Sequence, residues 1–270
     1  MAVIIKYPAQ SKIRNKEFLK RKSKELTNLD WAKWGGWFDT DGAFDSNNLK
    51  KKIRLGLADR EAVELFSKTF ETSMIYTESK TITPEPYRKE YISKVYESCL
   101  RGEIAKWFAR NIAKFILIKK EKIFKLVGEP FLIDDTEWTD EEFIRYIATA
   151  YDGDGCFNIQ NHKNNIKNMY RLRVILCSSN VEYLANIKSQ IEKRFKTPLI
   201  GIHEGNSYNT KIGTKTKYAL QFYVSETYDS NHPYINFLKA IKDHITLSRK
   251  KNKLIKLIEL IDLRKDSKSA

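Results

Sequence analysis

Trp34-Gly-Gly-Trp-Phe-Asp-Thr-Asp-Gly42 and Ile147-Ala-Thr-Ala-Tyr-Asp-Gly-Asp-Gly155 spell one local programme twice, 113 residues apart (154 − 41). Each follows a Thr-x-x-Asp/Glu quartet, Thr27 to Asp30 and Thr139 to Glu142, which predicts a capped helix start. Trp31, Trp34, Gly35 and Phe38 recur at i, i+3, i+4 and i+7. The same shift turns them into Ile144, Ile147, Ala148 and Tyr151, so both segments read as helices. Each ends in Asp-x-Asp-Gly, where the glycine lets the chain leave the helix and turn. Gly35 and Gly36, each costing about 1 kcal/mol relative to alanine, predict a close helix-to-helix approach, with Ala148 and Thr149 as the matching small stripe.

The segments after the two motifs repeat as well. Gly42 to Asn48 and Leu49 to Leu57 predict two strands, the second alternating Lys50, Lys52 and Arg54 with Ile53, Leu55 and Leu57. After Gly155, Asn158, Gln160 and His162 take alternate positions, and Arg171 and Arg173 alternate with Leu172, Val174 and Leu176. Amphipathic helices come next over Glu61 to Phe70 and Val181 to Phe195, then two more strands in each half. The last of these align as Glu90 to Tyr96 against Lys217 to Tyr223. Each half closes on a helix, Gly102 to Ile112 or Tyr234 to His244, and a Lys-rich turn, Ile118 to Lys122 or Arg249 to Lys253. The fold class is therefore α+β, with two pseudo-symmetric αββαββα units. The expected division is a basic N-terminal extension over 1–28, a first half over 29–127, a linker over 128–138, a second half over 139–262 and a tail over 263–270.

Composition narrows the function classes. The 270 residues carry 49 Lys and Arg against 34 Asp and Glu, a net charge of +15, with 41% hydrophobic and 12% aromatic residues. That is a globular composition rather than a disordered polybasic tail, and its positive surplus points to a polyanion partner. The bland alternative is charge that only confers solubility. The apolar run Phe115 to Ile118 falls far short of a bilayer span, and the first thirty residues show no secretory signal, so neither membrane nor export is expected. Cys99, Cys156 and Cys177 are widely spaced, which disfavours a disulfide framework or a structural zinc site and fits a reducing compartment. His203, His232 and His244 show no metal-ligand spacing.

The paired motifs, each followed by ββαββα, resemble the two nine-residue motifs of a single-chain LAGLIDADG homing endonuclease, and the resemblance covers about Leu29 to Leu260. It implies a saddle of antiparallel sheets around two central packed helices, binding double-stranded DNA as a monomer. It implies a site-specific endonuclease that cuts both strands at a long asymmetric site and leaves short 3′ overhangs. Asp41 and Asp154 are the implied metal ligands and catalytic residues, with Thr40 and Gly153 as further implied metal-site residues. Mg²⁺ is the expected cofactor, with Mn²⁺ as a substitute and Ca²⁺ binding without supporting cleavage; hard divalent ions select carboxylates. Asp39 and Asp152 read as structural, hydrogen-bonded near the helix ends.

The family also places a polar residue after the second strand of each half and a lysine after its third helix. The first falls on Asp59 and Ser178. The second falls on Lys119, with Lys120 as an alternative, and on Lys250, with Ser248 at the ungapped position. A cation there would stabilise charge developing on the phosphate; the plainer reading is a basic helix start on the DNA backbone. Strand positions opposite the core should meet the major groove: Asp45, Asn47, Lys52, Arg54 and Lys94 in one half, and Asn158, Gln160, His162, Arg171, Arg173, Lys217, Gln221 and Tyr223 in the other. Differing residues at matching positions imply an asymmetric site. The competing functions are an RNA maturase that assists splicing of its host intron RNA, and a non-cleaving DNA-binding protein. Abundant Lys, Ile and Asn fit an A+T-rich gene, hence an intracellular protein of an organelle, mitochondrion or chloroplast, or of a microbial cytoplasm.

Overall fold

The helix expected at the first motif runs over Asn28–Thr40 and the one at the second over Asp140–Asp154, in a computed structural model that describes residues 2–5, 12–46, 51–82, 90–164, 167–198, 200–210, 213–225, 228–229 and 231–266. The chain divides into two compact units, Met1–Glu137 and Trp138–Ala270. Unit 1 comprises β1 (Ala2–Ile5), α1 (Lys12–Glu25), α2 (Asn28–Thr40), β2 (Gly42–Asp45), β3 (Lys52–Leu57), α3 (Arg60–Thr69), β4 (Met74–Ile82), β5 (Glu90–Arg101), α4 (Gly102–Ile112), a 3-10 turn (Ala113–Phe115) and α5 (Lys120–Val127). Unit 2 comprises α6 (Asp140–Asp154), β6 (Gly155–Asn164), β7 (Lys167–Ser178), α7 (Val181–Phe195), β8 (Gly201–Thr210), β9 (Gly213–Ser225), α8 (Pro233–Lys242) and α9 (Ser248–Asp266). From α2 to α4 and from α6 to α8 the order is αββαββα.

Both sheets are antiparallel. Their orders, β1-β4-β5-β3-β2 and β8-β9-β7-β6, coincide once β1 is set aside. The terminal glycines fix the register: Gly42 faces Leu55 and Gly155 faces Leu176, so positions on β3 and β7 correspond at an offset of 121 (176 − 55). Lys52 faces Arg101, and its equivalent Arg173 faces Tyr223. Arg101, and not Tyr96, is thus the equivalent of Tyr223, which corrects the expected alignment of the last strands by five residues (101 − 96). An odd slip moves every side chain to the other face of the sheet.

Each core is built on the motif helix. In unit 1, Trp34 meets Phe66 and Phe70 with ring centroids at 5.3 and 5.5 Å, and Phe38 meets Phe108 at 4.9 Å. In unit 2, Tyr151 stacks on Phe157 at 5.5 Å, and Phe222 on Tyr234 at 4.5 Å. Edge and offset ring packing of this kind adds to the area each ring buries. The N-terminal segment belongs to this packing too, since α1 lays the buried Phe18 edge-on to Trp107 at 6.2 Å. Within unit 1 a Cβ on Gly35 would lie 2.6 Å from both Cβ and O of Phe115, so this glycine admits the 3-10 turn against the motif helix. Thr149 turns its hydroxyl back along α6, donating to the Arg145 and Tyr146 carbonyls at 3.2 and 3.0 Å. Among the described residues no helix is long and apolar enough to cross a membrane.

Candidate active site and nucleic-acid interface

In each unit the Asp-x-Asp-Gly end of the motif helix is held by the same three devices. The first is the glycine. A Cβ on Gly42 would come within 2.6 Å of the Phe38 Cα, and one on Gly155 within 2.5 Å of the Tyr151 Cα. The chain therefore leaves both helices along a path that only glycine fits. The second is the inner aspartate. Asp39 accepts the Leu117 and Ile118 N–H groups at 2.7 and 3.1 Å, and Asp152 accepts those of Thr246 and Leu247 at 2.6 and 3.2 Å. Each ties the segment that leads into the unit's last helix. Burial pushes the Asp152 carboxyl up to about 6, although the two N–H donors and the Lys250 ammonium pull it down.

The third device is a lysine. Lys119 Nζ donates to the carbonyls of Phe38, Thr40 and Gly42 at 2.8, 3.2 and 2.7 Å. Lys250 Nζ donates to those of Tyr151, Gly153 and Gly155 at 2.8, 3.1 and 2.7 Å, and also to that of Asp152. The last carbonyls of a helix have no partner within it and carry partial negative charge, so an ammonium at this point both satisfies and neutralises them. Of the sequence alternatives, the structure brings Lys119 and Lys250 to the motif. Lys120 opens α5 as an exposed residue and Ser248 opens α9. Both ammonium groups are engaged with the helix end; the carbonyls of Thr40 and Gly153 each receive one of them.

Asp41 and Asp154 sit at the tips so built. Asp41 caps α2, its N–H donating to the Trp37 carbonyl at 2.9 Å, and is half-buried; Asp154 is the last residue of α6 and is exposed. The Thr40 hydroxyl points back along the helix, donating to the Gly36 and Trp37 carbonyls at 3.1 Å.

Asp59 and Ser178 are not equivalent, contrary to the sequence expectation. Asp59 is the N-cap residue of α3 and corresponds to Asn180, the N-cap of α7, while Ser178 corresponds to Leu57 at the end of β3. The Ser178 hydroxyl accepts the Asn180 N–H at 3.1 Å in the turn before α7. Cys177, next to Ser178, belongs to no motif that would mark it as a site residue in the sequence. Burial raises its thiol pKa, and it lies within the electrostatic reach of Lys217 and Asp154.

The sheet faces turned from the core carry most of the expected contact residues. In unit 2, Phe157, Leu172, Val174, Leu176, Leu220, Phe222 and Val224 are buried. Asn158, Gln160, Arg171, Arg173, Lys217, Gln221 and Tyr223 alternate with them on the other face. Arg173 Nε donates to Gln221 Oε1 at 2.9 Å, Gln221 Nε2 reaches the Tyr223 hydroxyl at 3.2 Å, and the Arg171 guanidinium lies 5.6 Å from the Tyr223 ring centroid. His162 shares their register position, and its side chain, like the whole of Asn47, lies outside the described residues. In unit 1, Asp45, Lys52 and Arg54 lie opposite the buried Phe44, Ile53 and Leu55. Lys94 does not join them. On β5 it shares the side of Ser98 and Leu100, exposed only because the strand runs past the core. Its place is taken by Glu97, Cys99 and Arg101, none of which the misaligned strand could reveal.

No protein-family sequence model matches the chain, and no curated protein sequence does. Solved structures do. The LAGLIDADG meganuclease I-AabMI bound to uncleaved DNA is similar over 90% of this chain and 92% of its own, at 12% identity and a TM-score of 0.52. Looser likenesses are the LAGLIDADG homing endonuclease I-GzeII in complex with its DNA target (TM-score 0.48, 12% identity, 89% and 92% covered) and the meganuclease I-CpaMI bound to uncleaved DNA (0.47, 13%, 90% and 93%). With two αββαββα units in one chain and an Asp-x-Asp-Gly terminus on each first helix, the protein has the fold of a LAGLIDADG meganuclease.

Proposed function

We propose that the protein is a site-specific double-strand DNA endonuclease that hydrolyses phosphodiesters with a divalent metal, Mg²⁺ in the cell. The observation that carries this reading is the duplicated helix end: two carboxylates, Asp41 and Asp154, each beside a lysine-capped terminus, in units that each present a polar strand face. The donors fit a hard cation, since each end offers a carboxylate, and the Thr40 and Gly153 carbonyls, each taking one lysine bond, have a second lone pair. Among the described residues no three His, Cys, Asp or Glu side chains converge, so an ion there would complete its shell from water and phosphate, as Mg²⁺ readily does. When bound, the metal supplies the polarised phosphate, the activated water and the neutralised leaving oxygen.

The chain's own residues do the rest. Asp39 and Asp152 fix the helix ends, Lys119 and Lys250 hold their carbonyls and place positive charge beside the phosphate path, and the two tips each address one strand. Two motifs in one chain make a monomer sufficient, and unequal faces make the target asymmetric. Purified protein incubated with a plasmid bearing the joined sequences that flank its gene should give linear product with Mg²⁺ and none with EDTA. Binding without any strand scission would leave a non-cleaving DNA-binding protein on the same fold.

A further inference from the structure

Four side chains on the polar face of unit 1 form a ladder across three strands. Glu97 of β5 lies between two cations of β3, with Oε1 3.2 Å from Lys52 Nζ and Oε2 3.1 Å from Arg54 Nη1. Arg54 Nε in turn meets Asp45 Oδ2 of β2 at 3.0 Å. Directly opposite Glu97 stands Gly56, so no facing side chain competes for the carboxylate. The four side chains are between 23% and 40% exposed, and ion pairs this wet add little to folding stability.

Unit 2 shows that the fold itself does not require the ladder. At the same register positions it has Asn158 for Asp45 and Ala219 for Glu97, and Arg173, the equivalent of Lys52, is held by the neutral Gln221. Two carboxylates on a surface meant for a polyanion must be accounted for by what they do to that surface. Each offsets a cation that would otherwise seek any phosphate, and each repels phosphate itself. Glu97 and Asp45 also hold the Arg54 guanidinium by two of its five N–H donors, leaving three for a base edge. A carboxylate next to that arginine matches the major-groove edge of a G·C pair, with two acceptors on guanine and an amino donor on cytosine.

We propose that Glu97 is a specificity-determining residue of the DNA interface: it suppresses sequence-indifferent phosphate binding by Lys52 and Arg54 and holds Arg54 to read a G·C pair. This rests on the DNA-binding reading above. The test is equilibrium binding of the full chain to two probes across a salt series, a random-sequence duplex and the tightest duplex selected from a randomised pool. Glu97→Gln should bind the random duplex severalfold more tightly, with a log–log salt slope steeper by about one for each additional phosphate neutralised. Its preference for the selected duplex should shrink, most at a G·C position in one half-site. The reciprocal change Ala219→Glu in unit 2 should weaken random-duplex binding and flatten the slope, which keeps the test valid should Glu97→Gln fail to fold. Unchanged random binding and unchanged base preference in both variants would overturn the proposal while leaving the DNA-binding reading intact. Equal weakening on every sequence together with a lower Tm would assign Glu97 a structural role and overturn it as well. Wild-type protein that binds no duplex would overturn both readings.

Discussion

The polar faces of the two units are one register filled in two ways. Unit 1 sets Asp45 and Glu97 among Lys52, Arg54 and Arg101; unit 2 sets Asn158, Gln221 and Tyr223 among Arg171, Arg173 and Lys217, with no carboxylate at the positions of Asp45 and Glu97. The helix ends beneath them are instead nearly copies. The two units thus share what places the carboxylates Asp41 and Asp154 and differ in their polar strand faces; on the function proposed above, that is one chemistry applied to an asymmetric target.

The largest effect should come from the lysine caps, where the copies differ most in burial. Lys250 is buried with four carbonyls around its ammonium, whereas Lys119 is half-buried with three. Lys250→Met should lower stability in urea unfolding by roughly 3 kcal/mol, and Lys119→Met by about 2 kcal/mol, because stranded buried acceptors keep their desolvation cost. Equal losses would mean that burial does not distinguish the two caps.

Asp152 adds a pH dependence. Its folded value of about 6 lies above the ordinary 3.8, so between these values the folded state holds a proton that the unfolded state has released. Stability from this group therefore falls as pH rises through that window, and above about 6 the cost is complete, on the order of 3 kcal/mol. Asp152→Asn does not titrate, so the Tm of wild type relative to this variant should be higher at the acid end of the window than at neutrality. A constant difference would contradict the assignment.

Charge offers a smaller test. Arg173→Ala should reduce the salt slope of duplex binding by about one, whereas Arg54→Ala, already offset by two carboxylates, should change it by less. The capping boxes should give the smallest difference. Thr139 Oγ1 accepts the Glu142 N–H at 3.1 Å, but the Thr27 hydroxyl donates to the Asp30 carboxylate at 2.8 Å. Thr139→Ala should cost about 1 kcal/mol and Thr27→Ala less, read as Tm.

Much of this was legible in the sequence, for reasons that can be named. Helical spacing, caps and twin Asp-x-Asp-Gly ends gave α2 and α6, and strict alternation placed Arg171, Arg173, Lys52 and Arg54 on the polar faces. Lys94 was misplaced because tyrosines at similar spacing, Tyr91 and Tyr96 against Tyr218 and Tyr223, invite an alignment five residues out, and strand parity makes an odd error total. Asp59 and Ser178 were paired by chain position, although the two hairpins meet α3 and α7 at different residues. The same slip hides Glu97, since an alignment five residues out puts Lys94 and not Glu97 on the polar face. The compensating partner of Gly35, the Phe115 backbone, is a contact 80 residues away (115 − 35) that no local pattern encodes.

On the reading proposed above, the two helix ends are separate copies of one catalytic device, each serving one strand. Strand-resolved cleavage of a duplex labelled on both strands, by Asp41→Asn and Asp154→Asn, puts that to the test. Neither variant should cut both strands, any residual nick should fall on opposite strands in the two variants, and duplex affinity should stay near wild type. Cleavage of both strands at wild-type rate by either variant would refute it.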